Sequence, residues 1–336
     1  MCLALKPRGG MLDFLNVTFP ISGVTTNILF PPLVAMVVSF FTSMGGVSGA
    51  FLLLPFQMSF LHYTSPSVSG TNFIFNIVAI PSGVYRYLKE GRMAWPLTWV
   101  VILGTLPGVF LGYYIRVLYL PNPSAFKMFA GCVLLYIGVR LLYEFAGKAR
   151  AKNAGSKALE KKFKERAEEM RKQQKSRIAA GLPVEAVVRT ISVSFTRIEY
   201  EFWGEQFSYS TIGMFMLAFV VGIIGGTYGI GGGAIIAPFC VAVFHLPVYT
   251  IAGAALMGTF ITSLAGVTFY SLAPVASGVS TAPDWALGIL FGAGGFIGIY
   301  LGARFQKFVP QRQIKLILGV IIVSLALRYI SQFFLG

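Results

Sequence analysis

From residue 28 onward the chain alternates long apolar stretches with short turns marked by proline, glycine or charge. The stretches are 28–44, 46–62, 66–88, 95–117 and 124–145, then 209–225, 229–245, 249–272, 284–304 and 312–333. Most are close to the ~20 residues that carry a helix across the hydrocarbon of a bilayer. Prolines mark starts or kinks: Pro66, Pro81 and Pro96 in the first set, Pro247, Pro283 and Pro310 in the second. The pattern predicts an all-α polytopic membrane protein.

The two sets are copies. Shifted by 183 residues, "GGVSGAFLLLPFQMSFLH" (45–62) falls on "YGIGGGAIIAPFCVAVFH" (228–245). Gly46 meets Gly229, Gly49 meets Gly232, Pro55 meets Pro238 and His62 meets His245. The register continues to Gly70/Gly253, Gly83/Gly266 and Tyr87/Tyr270. After an insertion in the second copy, Trp95 meets Trp285, and Gly104, Gly108 and Gly112 meet Gly294, Gly298 and Gly302. Gly131/Gly319 and Arg140/Arg328 close the match. The organisation read from this is an N-terminal extension (1–27), a first membrane repeat (28–145), a basic linker (146–208) and a second membrane repeat (209–336).

Five crossings per copy is an odd number, so the copies must be inverted in the membrane. Charge agrees. Arg86, Lys89 and Arg92 crowd one turn of copy one, whereas its counterpart, "SLAPVASGVSTAPD" (271–284), has no Lys or Arg. Arg304, Lys307, Arg312 and Lys315 then crowd the next turn of copy two. Basic turns face the cytoplasm, so the basic side alternates as inverted-topology repeats require. The linker is cytoplasmic on this reading. It comprises a charged helix over 157–178 and an apolar/polar alternation (Ile191, Val193, Phe195, Tyr200, Phe202) that predicts a β-hairpin turning at Trp203-Gly204-Glu205. The helix reads as a solvated element or as a membrane-surface or regulatory segment.

Composition adds three exclusions. Hydrophobic residues make up 56% and charged residues 12%, and the formal charge is +15; the positive-inside rule accounts for that charge without nucleic acid. Three cysteines (Cys2, Cys132, Cys240) and two distant histidines give neither a disulfide framework nor a metal site. No Asp or Glu lies mid-segment, and every Lys or Arg there is near an end, which disfavours a cation carrier or a carboxylate proton relay. No cofactor is expected. His62 and His245 are read as interfacial residues or as a proton-coupling pair. "MCLALKPRGG" lacks the apolar core of a signal peptide, and Met11 offers an alternative start.

The candidate site follows from misplaced glycines. "GTYGIGGGAIIAPF" puts Gly229, Gly231, Gly232 and Gly233 where a buried helix should run, at roughly 1 kcal/mol each relative to alanine. Close helix packing is one explanation. The other is an interrupted helix whose free N–H groups and dipole face an anion at membrane depth. Copy one has the analogous break at "SMGGVSG", with Gly46, Ser48 and Gly49. The segments that follow carry Thr71, Asn72 and Asn76 in copy one and Thr259 and Thr262 in copy two. Polar groups there serve either as glue between helices or as substrate ligands. GxGxxG dinucleotide binding is a poor fit, because no strand precedes the glycines.

"GIGGGAIIAP" with "GAALMGTFITS", and "GGVSGAFLLLP" with "SGTNFIFN", resemble the paired motifs of the TauE/SafE family of sulfite-exporter-like permeases. The likeness covers both repeats, and departs at Ser48, Asn72 and the long basic linker. It implies transport of sulfite, sulfonates or related organic anions. The expectation is a secondary transporter, an exporter of a small anion by alternating access, in the bacterial inner membrane. The partners are that anion and the lipid bilayer. The alternatives are an uptake permease for another organic anion, or a receptor or scaffold signalling through the linker. An intramembrane enzyme is disfavoured, because no acid–base pair, Cys–His dyad or metal cluster falls in the spans.

Overall fold

The computed structural model describes residues 4–5, 15–45, 48–89, 93–143, 188–202, 204–272, 281–305 and 311–335. Among them are eleven α-helices: α1 (Phe30–Gly45), α2 (Ala50–Ser59), α3 (Ser67–Ala79), α4 (Pro81–Lys89), α5 (Trp95–Tyr114), α6 (Pro123–Tyr143), α7 (Thr211–Tyr228), α8 (Gly233–Val243), α9 (Val248–Leu272), α10 (Trp285–Phe305) and α11 (Gln311–Leu335). Among the described residues six helical stretches are long and apolar enough to cross a membrane, at Trp95–Tyr119, Pro123–Tyr143, Thr211–Tyr228, Thr250–Leu272, Trp285–Gly302 and Gln313–Leu335. The apolar helices at Phe30–Ser43 and Ala50–Ser59 are shorter.

The element order follows the apolar blocks, with two physical differences. The blocks at 46–62 and 229–245 form helices of only 10 and 11 residues, about half a bilayer core at ~1.5 Å per residue. The block at 66–88 divides at Pro81: proline cannot donate to the ladder, so α3 ends with Ile80 N–H on Asn76 O and α4 begins anew.

Helices pack in pairs that exchange when the two copies are exchanged. α5 lies on α7 and α1 on α10; α3 lies on α10 and α9 on α5. The glycines show how. A methyl group added at Gly104, Gly108 or Gly112 would meet the carbonyl oxygen of Phe215, Phe219 or Ile223; one added at Gly294, Gly298 or Gly302 would meet that of Pro32, Met36 or Phe40. Both rows advance in steps of four along both partners, so each pair runs parallel with backbones in direct contact. Elements at matching positions in the two copies also pack together, and they run antiparallel. Gly70 lies against Tyr270 while Gly266 lies against Phe73, and Gly131 against Ile330 while Gly319 lies against Leu142. His62 and His245, matched in the alignment, share the same left-handed backbone, φ 54° at each.

Two small sheets flank the helices. In the linker, β4 (Arg189–Val193), β5 (Arg197–Phe202) and β6 (Glu205–Ser210) form an antiparallel sheet in the order β4-β5-β6. The expected hairpin is β5–β6, with Tyr200 opposite Phe207 and Phe202 opposite Glu205. Alternation holds on β5, where Ile198, Tyr200 and Phe202 are buried, and Tyr200 Oη reaches Thr250 Oγ1 at 2.8 Å on α9. Burial pushes the Tyr200 and Tyr209 phenols up. β4, by contrast, is exposed throughout, and Phe195 is 92% exposed. The charged helix expected over 157–178 lies outside the described residues.

The second sheet was not expected. β1 (Ala4–Leu5), β2 (Asn16–Thr18) and β3 (Thr25–Asn27) form an antiparallel meander within the N-terminal extension. Its 19–24 turn docks on α10: Ser22 donates from N–H and Oγ to Asp284 Oδ2, at 3.1 and 2.8 Å, while Asp284 Oδ1 accepts from Leu287 N–H and caps the helix.

Candidate functional site

The helix interruption expected in copy two lies between α7 and α8. Gly229 adopts φ +87° and closes α7, with its own N–H and that of Ile230 both donating to Gly225 O. Gly231 is also left-handed, φ +78°. Gly232 has ordinary helical φ, −62°, and precedes the first residue of α8. Gly232 and Gly233 stand at the head of α8, where the first-turn N–H groups have no acceptor within the helix. The copy-one break lies between α1 and α2, where Ser48 Oγ accepts from Ala50 N–H and Gly49 has φ −58°. Gly46 falls outside the described residues.

Both breaks converge on α3. Asn72 is fully buried and its amide nitrogen donates to Ala50 O (3.2 Å) and to Gly229 O (3.0 Å). One side chain thus bridges the copy-one break and the copy-two break. Asn76, one turn on, donates to Ile230 O at 3.0 Å, and Ser69 Oγ donates to Thr227 O at 3.2 Å. The orientation of both amides is set chemically, since carbonyl oxygens can be met only by the NH₂ end. It leaves Asn72 Oδ1 and Asn76 Oδ1 buried without a partner.

Two further unpartnered buried groups lie at the breaks. A methyl at Gly49 would stand 2.8 Å from Ser39 Oγ, and one at Gly231 would stand 3.2 Å from Ser263 Oγ. Buried polar atoms without partners are uncommon in folded proteins. Here they ring the same backbone interruptions, offering hydroxyl donors and amide acceptors.

The remaining expected residues divide. Thr259 lies against Gly231 and Gly233 but donates within its own helix, to Ala255 O at 2.8 Å. Thr262 also bonds back, to Gly258 O at 2.6 Å. Thr71 belongs to another network near the end of α10: its Oγ1 donates to Ser67 O, contacts Tyr63 Oη at 2.9 Å, and accepts from Asp284 N–H at 2.8 Å. The glycines themselves are tightly enclosed. A methyl at Gly232 would lie 2.5 Å from Thr105 Cγ2, and one at Gly229 would lie 2.5 Å from Ser69 O.

Arg116, like every Lys or Arg of the apolar segments, lies near a segment end in the sequence. In the structure it is fully buried, within a π-helical turn (Ile115–Tyr119) that extends α5. Position in the segment gave no signal of this, since burial comes from the 60–66 connection and α6 folding over it.

Broken helices joined by buried amides in a bundle of apolar helices fit a membrane transporter. The chain belongs to the TauE/SafE sulfite exporter family, whose model, described as "Sulfite exporter TauE/SafE", matches residues 32–329. It is similar to "Probable membrane transporter protein YunE" of Bacillus subtilis (strain 168), 22% identical over 300 residues that cover 86% of this chain and 92% of that protein. It is also similar to "Probable membrane transporter protein YdhB" of the same organism, 30% identical over 122 residues that cover 36% of this chain and 46% of that one. No solved structure matches it.

Proposed function

We propose that the protein is a secondary transporter that exports a small anion such as sulfite or an organosulfonate, by alternating access between two inverted repeats of five segments. The observation that carries this reading is Asn72, whose amide ties the two breaks together at the centre of the bundle. The bridge crosses the interface between the two copies, so rocking of one repeat against the other has to break or remake it at the central site. The inverted arrangement draws support from the antiparallel packing of matched elements, α3 on α9 and α6 on α11. A two-fold axis parallel to the helices would leave matched helices parallel; antiparallel ones call for an axis in the membrane plane.

The anion is received at the two breaks, by Gly46, Ser48, Gly49, Asn72 and Asn76 from copy one and Gly229, Gly231, Gly232, Gly233, Thr259 and Thr262 from copy two; Thr71, held in the network around Asp284, stands apart. The backbone N–H groups at the head of α8, with nearby hydroxyls, supply the donors. Asn72 and Asn76 hold the surrounding carbonyls in place. The membrane segments are free of mid-span carboxylates.

The direct test is flux in proteoliposomes with sulfite, sulfoacetate, taurine and acetate. Saturable movement of sulfite or a sulfonate is expected. Flux of none of these would overturn the reading, and preference for acetate would favour another organic anion. Topology is tested separately, in a variant whose native cysteines are replaced by alanine. A cysteine at Asn122 is expected to react with an impermeant reagent from outside a bacterial inner membrane. One at Ser194, in the sheet that precedes α7, is expected to react only after permeabilisation. The opposite pattern would overturn the cytoplasmic placement of 146–208.

A further inference from the structure

Resting on that reading, we infer that Arg116 supplies the fixed positive charge that the transported oxyanion meets beside the copy-two break.

Arg116 is fully buried. Nη1 donates to Leu120 O, Nη2 lies 3.5 Å from Thr64 O, and the guanidinium carbon stands 3.7 Å over the ring of Phe126. Nε has no partner. A guanidinium carries five N–H donors, so these contacts leave it under-satisfied. No carboxylate pairs with it among the described residues. Asp284, the buried carboxylate of the spans, is held by Ser22 and by Leu287 N–H.

Its place in the fold matters as much. Arg116 sits one turn beyond Gly112, whose carbonyl accepts from Thr227 Oγ1 at 3.1 Å, two residues before Gly229. The Phe126 ring beneath the guanidinium is 6.5 Å from the ring of Tyr228, which immediately precedes Gly229. Tyr270, an electrostatic neighbour of Arg116, donates to Gly226 O at 3.2 Å. The charge is therefore one aromatic layer from the break.

Capping two carbonyls does not need a charge. A neutral amide could do it without desolvating a cation, and a buried ion lacking a counter-charge is costly. A transported anion supplies that counter-charge as it passes, so charge and site compensate each other. The guanidinium fork fits a group bearing two oxygens on one atom, as in sulfite, a sulfonate or a carboxylate.

The experiment compares Arg116→Lys and Arg116→Gln with the parent in proteoliposomes. It measures half-saturation for sulfite and sulfoacetate, and the thermal midpoint with and without each anion. Half-saturation is expected to rise roughly tenfold to a hundredfold in Arg116→Gln, as loss of a charged hydrogen-bond partner implies, and less in Arg116→Lys. The anion-dependent gain in midpoint should vanish in Arg116→Gln while the anion-free midpoint is held or raised, because an uncompensated buried charge has gone. A purely structural cap gives the reverse, a lower anion-free midpoint with parental half-saturation, and that result overturns the inference. If Arg116→Gln does not fold, Arg116→Met, uncharged and of similar length, decides: parental half-saturation there also overturns the inference. A parent that neither transports nor is stabilised by any anion of the panel sinks the functional reading itself, and the inference with it.

Discussion

Asn72→Leu is expected to reduce anion flux by more than tenfold and to lower the thermal midpoint by several degrees, while the protein still inserts. The side chain remains of similar size, so packing alone predicts a mild effect. The loss is chemical. Two carbonyl oxygens, Ala50 O and Gly229 O, share the Asn72 amide as a donor. Ala50 heads α2 and can accept within its own helix, but Gly229 lies in the break, where no ladder supplies a replacement. A buried acceptor left without a partner costs about 1–3 kcal/mol. Transport is expected to suffer more than stability because the bridge couples the two breaks. Asn76→Leu removes a single bond, to Ile230 O, and is expected to have a smaller effect on both readouts. Flux and thermal midpoint measured together decide the matter. Parental flux with a lowered midpoint would make Asn72 a packing residue.

The copy-two break was legible because it depends on local chemistry. Glycine at 229 and 231 is needed for positive φ, and that need is written in the residue itself. Glycines at 104, 108 and 112, and at 294, 298 and 302, recur every four residues, the spacing of one helix face. In the structure all six are packing positions, and nothing in the sequence named α7 and α1 as their partners. Where sequence reading fell short, tertiary contacts decide the outcome. The shortness of α2 and α8 is invisible in an apolar block, because hydrophobicity does not distinguish helix from the extended residues beside it. The burial of Arg116 and of Asp284 depends on segments distant in the chain, 60–66 and 15–27. The asparagines were legible as polar groups facing the interior. Their partners were not, since Gly229 and Ile230 lie more than 150 positions away. The exposed apolar face of β4 ran against the alternation rule, which assigns faces but not what covers them.

Gly232→Leu is expected to weaken substrate binding by about a hundredfold or more, the consequence of losing two buried N–H contacts to an anion at roughly 1.5–3 kcal/mol each. Backbone strain is not the reason, because Gly232 has φ −62°, a conformation open to any residue. Crowding is. A methyl there would meet Thr105 Cγ2 at 2.5 Å and Thr105 Cβ at 2.7 Å, and both belong to a stiff β-branched side chain on α5. The matching Gly49 is less enclosed, with the rotatable Ser39 Oγ at 2.8 Å as its nearest neighbour, so Gly49→Leu should act in the same direction but less strongly. Gly294→Ala provides the contrast. Its methyl would press on the backbone of Pro32 in the α10–α1 contact, away from both breaks, and is expected to lower the thermal midpoint while leaving affinity for sulfite near parental. A second variant separates crowding from lost contact. In Gly232→Ala with Thr105→Gly the space is restored while the N–H is retained, so affinity should recover, and Gly232→Leu in the same background should stay weak because its longer side chain covers the head of α8. Sulfite affinity and thermal midpoint are measured for all of these. If Gly232→Leu binds sulfite as the parent does, the glycine run serves packing alone and the head of α8 is not where the anion sits.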